Sequence, residues 1–199
     1  MPRMNSSPCT AFCGLERVAA GPVLDVALAA KERIDREPGA AMLVFDDETG
    51  RQIELDLRGS GADVARRLRR TNDRDQPAVP RSAGRPKLGV VAREVTLLPR
   101  HWEWLNEQPG GASVALRKLV EEARRTNAGR DRVRNAQEVA YRFTSAVAGD
   151  LPGYEEATRA LFAGDRARFE ANIAAWPSDV GAYALKLAAD AFAEAGLTR

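Results

Sequence analysis

The run Arg93-Glu94-Val95-Thr96-Leu97-Leu98 is β-branched or apolar at its end, and Pro99 stops it. Proline lacks an amide hydrogen and has a fixed φ, so it suits the first turn of a helix and cannot extend a strand ladder. A helix pattern follows, with Trp102 and Leu105 on one face and Trp104 beside them, and Gln108-Pro109-Gly110-Gly111 must end it. Ser113 is placed to cap a second helix, whose apolar stripe is Leu116, Leu119, Val120 and Ala123. One strand and two helices this short cannot bury their apolar side alone. Pairing with a second copy solves that problem. The expected homodimer interface is Val95, Leu97, Trp102, Leu116 and Leu119.

Charge is segregated along the chain. The whole sequence has 30 Lys/Arg and 28 Asp/Glu, a net of +2. From Arg66 to Arg134 there are 17 basic and 8 acidic residues, a net of +9, which leaves 13 and 20, a net of −7, for the rest. A basic middle between acidic flanks attracts polyanions locally without making the whole protein basic. The bland alternative is that these arginines solvate exposed helices and a linker.

The flanks read as folded regions. Leu15 to Ala20 begins as a strand, and Pro22 opens a helix carried by Val23, Val26, Ala27 and Ala30. Ala41 to Phe45 and the alternating Ile53, Leu55 and Leu57 read as a hairpin around Asp46-Asp47-Glu48-Thr49-Gly50. That acidic cluster is a turn rather than a metal or acid/base site, because Asp accepts local backbone hydrogen bonds. A short basic helix runs from Ala62 to Arg70. Residues 14–70 therefore read as a small α+β domain, and residues 71–87, with three prolines, as an extended basic linker. Gly84-Arg85-Pro86 there resembles the core of a minor-groove AT-hook. Residues 135–199 read as a helical region, with stripes Val139-Phe143-Val147 and Ala182-Leu185-Ala189-Phe192, and caps at Asp165 and at Ser178 or Asp179. The fold class expected is α+β and mainly helical: an N-terminal hairpin unit, a central strand-helix-helix unit over 88–126, and a C-terminal helical unit.

The central segment resembles the ribbon-helix-helix repressors of the MetJ and Arc type, through the strand-then-Pro99 junction, the Gly111-x-Ser113 turn and the spacing of Leu116, Leu119 and Val120. The resemblance covers roughly residues 90–126. It implies that two strands pair and enter the major groove, with the start of the second helix, Ala112 to Ser113, holding a phosphate. The residues facing duplex DNA would be Arg81, Arg85, Lys87, Arg93, Thr96, Arg100, Ser113 and Arg117. The strand departs from the family pattern, because Arg93 and Thr96 fall on opposite faces and Glu94 would repel phosphate. Contacts to the duplex are therefore expected to be to phosphates, with weak sequence preference.

The whole chain also resembles a bacterial family known as domain of unknown function 2239, on Gly84 to Arg125, on Val44-Phe45-Asp46 with Leu55-Asp56-Leu57-Arg58-Gly59, and on Ala160-Leu161-Phe162-Ala163-Gly164-Asp165. That resemblance implies a shared architecture and no activity.

Catalytic equipment is sparse. His101 is the one histidine, and with Cys9 and Cys13 it cannot complete a four-ligand zinc site. There is no phosphate-binding glycine loop. The expectation is a non-enzymatic, cytoplasmic protein without metal, cofactor or membrane span: a dimeric DNA-associated regulator. The alternative is an interaction or structural module in which the central unit only dimerises. Salt-dependent binding to a random duplex separates the two.

Overall fold

The computed structural model describes residues 8–75 and 91–193. They fall into two compact units: residues 8–75 with 130–193, and residues 91–129. The class is α+β and mainly helical, as expected.

The first unit is built on a three-stranded antiparallel sheet, β1 (Cys9–Cys13), β2 (Glu16–Gly21) and β3 (Met42–Asp46), in the order β2-β1-β3. Strand β1, which the sequence reading passed over, lies at the centre and pairs with both neighbours. Its two faces divide by the strand period of two. Cys9 and Ala11 join Val44 under helix α1 (Val23–Arg36), which contributes Val23 and Val26. Phe12 and Phe45 point the other way, into the larger core. The expected hairpin is only partly formed. Beyond the turn the second arm makes one bridge, Phe45 to Gln52, with two backbone bonds, Asp46 N–H to the Arg51 carbonyl at 2.9 Å and Ile53 N–H to the Val44 carbonyl at 2.7 Å. The main ladder partner of β3 is instead β1. The alternation survives, with Ile53, Leu55 and Leu57 half-buried and Gln52, Glu54 and Asp56 exposed.

Helix α2 (Gly61–Asp75) runs into the stretch read as linker. Ser60 and Asp63 bracket its start. The Asp63 carboxylate accepts from Ser60 N–H at 2.9 Å and from the Ser60 hydroxyl at 2.7 Å. Those hydrogen bonds, with Arg66 beside it, hold the Asp63 carboxyl below its usual range.

The larger core is helical on its other side. It is formed by the end of α4 (Gly111–Val147), α5 (Tyr154–Ala163), α6 (Arg166–Ile173), α7 (Ser178–Leu187) and a 3-10 turn, Ala189–Phe192. Asp165 caps α6, accepting from Arg168 N–H at 3.0 Å, as its position predicts. Neither Ser178 nor Asp179 caps α7; Asp179 instead accepts from Arg17 N–H of β2 at 2.9 Å. Phe143 touches Phe12, Phe45 and Tyr183, with ring centroids 5.2, 5.1 and 4.6 Å away. The N-terminal sheet and the C-terminal helices thus share one core, although sequence periodicity presents them as separate regions. The reason is the sheet's second face: Phe12 and Phe45 pack on Phe143 of α4, and Phe12 also on Tyr183 of α7.

Two aspartates of the turn diverge. Asp46 closes it, accepting from Thr49 N–H at 2.7 Å and the Thr49 hydroxyl at 2.9 Å, which is the turn role expected. Asp47 turns inward and is 6% exposed. It accepts from the Thr10 hydroxyl at 2.8 Å, the Tyr183 hydroxyl at 2.7 Å and the Lys186 ammonium at 2.5 Å. A buried carboxylate is tolerated when its oxygens are filled in this way.

This network makes stability fall at high pH. Burial, then the charges of Asp47 and Asp46, push the Cys9 thiol up from 9.0 to about 11. Burial and its bond to Asp47 push Tyr183 upward too. A pKa raised by folding gives stability that is whole below the unfolded value and lost as pH rises through the folded one. The urea midpoint should therefore drop from pH 9 to pH 11. Cys9→Ala should drop less over that window; an identical slope would assign the loss elsewhere.

Candidate nucleic-acid interface

The second unit, residues 91–129, is described by itself. Residues 91–98 form neither helix nor strand, so the strand expected there is not formed within one chain, whose described residues offer it no ladder partner; Leu98, which precedes α3, is in extended geometry with φ of −66° and ψ of 148°. No backbone N–H of residues 91–97 finds a backbone acceptor among the described residues. Helix α3 (Pro99–Glu107) opens with Pro99 in its first turn, as expected, and Leu98 accepts from His101 N–H at 2.9 Å. Gly110 and Gly111 then adopt φ of 89° and 74°, where a side chain is strained, and α4 begins directly at Gly111. Ser113 therefore lies inside the first turn of α4 rather than at the cap position expected, because the glycine pair makes the turn itself. The amides of Ala112 and Ser113 lie in that first turn, where backbone N–H groups have no intrahelical acceptor, at the positive end of the helix.

Only Leu105 and Ala115 are buried in this unit. Leu97 and Leu116 are half-buried and, with His101, Trp104, Leu105 and Leu119, line an apolar hollow of about 280 Å³. Val95, Leu98, Trp102, Trp104, Leu119 and Val120 are exposed. Every residue of α4 from 117 to 126 is exposed. Of the expected interface residues, Leu97, Leu116 and Leu119 are brought to this hollow, and Val95 and Trp102 to the exposed apolar surface.

Of the residues expected to face DNA, Arg93, Thr96, Arg100, Ser113 and Arg117 are exposed. Arg117 bends back, its Nε donating to the Ser113 carbonyl at 3.0 Å. Arg81, Arg85 and Lys87 lie outside the described residues. Within residues 91–129 the sequence has six Lys/Arg and five Asp/Glu, a net of +1. Most of the basic excess of the middle is therefore contributed by the residues flanking this unit. Among the described residues no group of His, Cys, Asp and Glu could hold a metal ion, and no helix is long and apolar enough to cross a membrane.

The chain belongs to a family described as an uncharacterized protein conserved in bacteria, DUF2239, whose profile matches residues 8–188. No curated protein and no solved structure matches it.

Proposed function

We propose that the protein is a homodimeric, DNA-associated regulator of ribbon-helix-helix type that binds duplex mainly through phosphates. The observation that supports this reading is the run 91–98, outside any helix or strand and without a backbone partner for its 91–97 amides among the described residues, beside two helices whose apolar faces stay exposed. A second copy satisfies both needs, since paired strands fill each other's hydrogen bonds and the leucine and tryptophan faces close over one another. The amides of Ala112 and Ser113 then suit a phosphate oxygen. Arg93, Arg100 and the arm carrying Arg81, Arg85 and Lys87 supply the cations. Poor alignment of base readers on the strand favours backbone contact over sequence reading.

Light scattering at micromolar concentration should give the dimer mass for the wild type. Leu119 is 48% exposed in one protomer, so Leu119→Glu should spare the protomer fold and yield monomer. A wild-type monomer would remove the basis of the proposal. The dimer should shift a random duplex at low salt, with non-specific affinity of ~10⁻⁴–10⁻⁶ M at physiological salt. Arg85→Ala with Lys87→Ala should weaken binding alike for all sequences and flatten the salt slope. The near-neutral charge of residues 91–129 favours a second reading, in which the unit only dimerises. A dimer that shifts no duplex at low salt would establish that one.

A further inference from the structure

The first unit carries a cleft that the DNA reading does not use. It has a volume of about 290 Å³ and lies between the β3 turn, α4 and α7. Pockets for drug-sized ligands span ~300–1,000 Å³, so this one suits a small molecule. Its floor is apolar, from Val139, Leu187 and neighbouring alanines. Its rim is charged, with Arg132 and Lys186 against Asp47, Glu48 and Asp190, two positive and three negative groups.

These charges are not equally engaged. Lys186 and Asp47 satisfy each other through their 2.5 Å bond. Arg132 approaches Asp190 only at 3.8 Å, an ion pair without a hydrogen bond, and both side chains are largely exposed. Such an exposed pair is weak, so a ligand that parts it loses little. Asn135, one turn after Arg132 on α4, is exposed and makes no hydrogen bond within the described residues. The guanidinium and the amide thus offer donors to the cleft, and the Asp190 carboxylate, 3.8 Å from the guanidinium, an acceptor beside them.

Charge selects the ligand class. A simple anion would meet the donors but also the Asp190 carboxylate. A simple cation would meet the guanidinium. A molecule with both charges close together satisfies each side. We propose that the cleft binds a free α-amino acid, its carboxylate on Arg132 and Asn135, its ammonium on Asp190 and its side chain over Val139 and Leu187. The site is independent of the DNA reading.

Thermal unfolding of the full chain tests this, with each of the twenty L-amino acids at millimolar concentration, and with acetate and putrescine as the separated charges. At tenfold saturation a bound ligand should raise Tm by roughly 3–5 °C. At least one amino acid should do so, and Arg132→Ala and Asn135→Ala should each remove the shift. Asn135→Ala touches no internal bond, so it keeps the test valid if the arginine variant is unstable. The proposal is overturned if no amino acid shifts Tm, if acetate or putrescine alone shifts it as far, or if the shift survives in Asn135→Ala.

Discussion

Gly50→Val should lose roughly 4 kcal/mol or more of stability, a large part of the ~5–15 kcal/mol a domain has. Two penalties act together at this position. Gly50 closes the turn after β3 with φ of 64°, a region where a β-branched residue is strained. A Cβ there would also run into the carbonyl of Val139 and lie 3.0 Å from its Cα. That carbonyl cannot retreat, because it belongs to the stretch of α4 that carries Phe143 into the core. Gly164 separates the terms. It has φ of 70° and nothing within 4 Å of its would-be Cβ, so Gly164→Ala should show the conformational penalty alone, ~1–2 kcal/mol. Urea denaturation of the two variants decides it. Equal losses would mean that the turn and the helix do not meet as closely as described.

Phe143→Ala is the second large effect, with an expected loss of ~3–5 kcal/mol. Its ring is fully buried and meets three other aromatic rings, two from the sheet and one from α7. Truncation leaves a cavity where rings from the sheet and from α7 meet, and the rings around it cannot collapse without parting from their own elements. Phe162 is a fair comparison, since it is 50% exposed and stacks only on Tyr141. Phe162→Ala should lose about 1 kcal/mol or less. If the two truncations unfold at the same urea concentration, Phe143 is not the hub.

What the sequence revealed followed its punctuation. Pro99, Gly110-Gly111, Gly164 and Asp165 each mark an element boundary by backbone chemistry that acts locally, and each lies at such a boundary. The turn role of Asp46 was legible for the same reason. Asp47, its neighbour, was not. Its partners are Thr10, 37 residues away, and Tyr183, 136 away, and no local rule reaches that far. Strand β1 was missed because Cys9-Thr10-Ala11-Phe12-Cys13 is buried on both faces and so shows no polar alternation. The continuity of α4 was missed because the stripe ends at Ala123 and residues 124–132 have no apolar side chain larger than Ala128 to carry it on. In the candidate interface, the exposed apolar surface was legible as a pattern too short to close a core. The nearly neutral charge of residues 91–129 was masked by the basic residues on either side.

The first unit is discontinuous along the chain: residues 91–129 interrupt it. A ribosome makes the sheet first, with one face covered by α1 and the other, bearing Phe12 and Phe45, left bare. Among the described residues, none between Phe45 and Ala136 joins that core; its lid includes Phe143 and Tyr183, which are made roughly a hundred residues or more after the sheet. The entropy of closing so long a loop grows only logarithmically with its length. Contacts this distant nonetheless slow the search, and they lengthen the time an apolar sheet face stands open to other nascent chains. The order of synthesis therefore sets a period in which an apolar face of the sheet waits for its lid, and the inserted central unit lengthens that period.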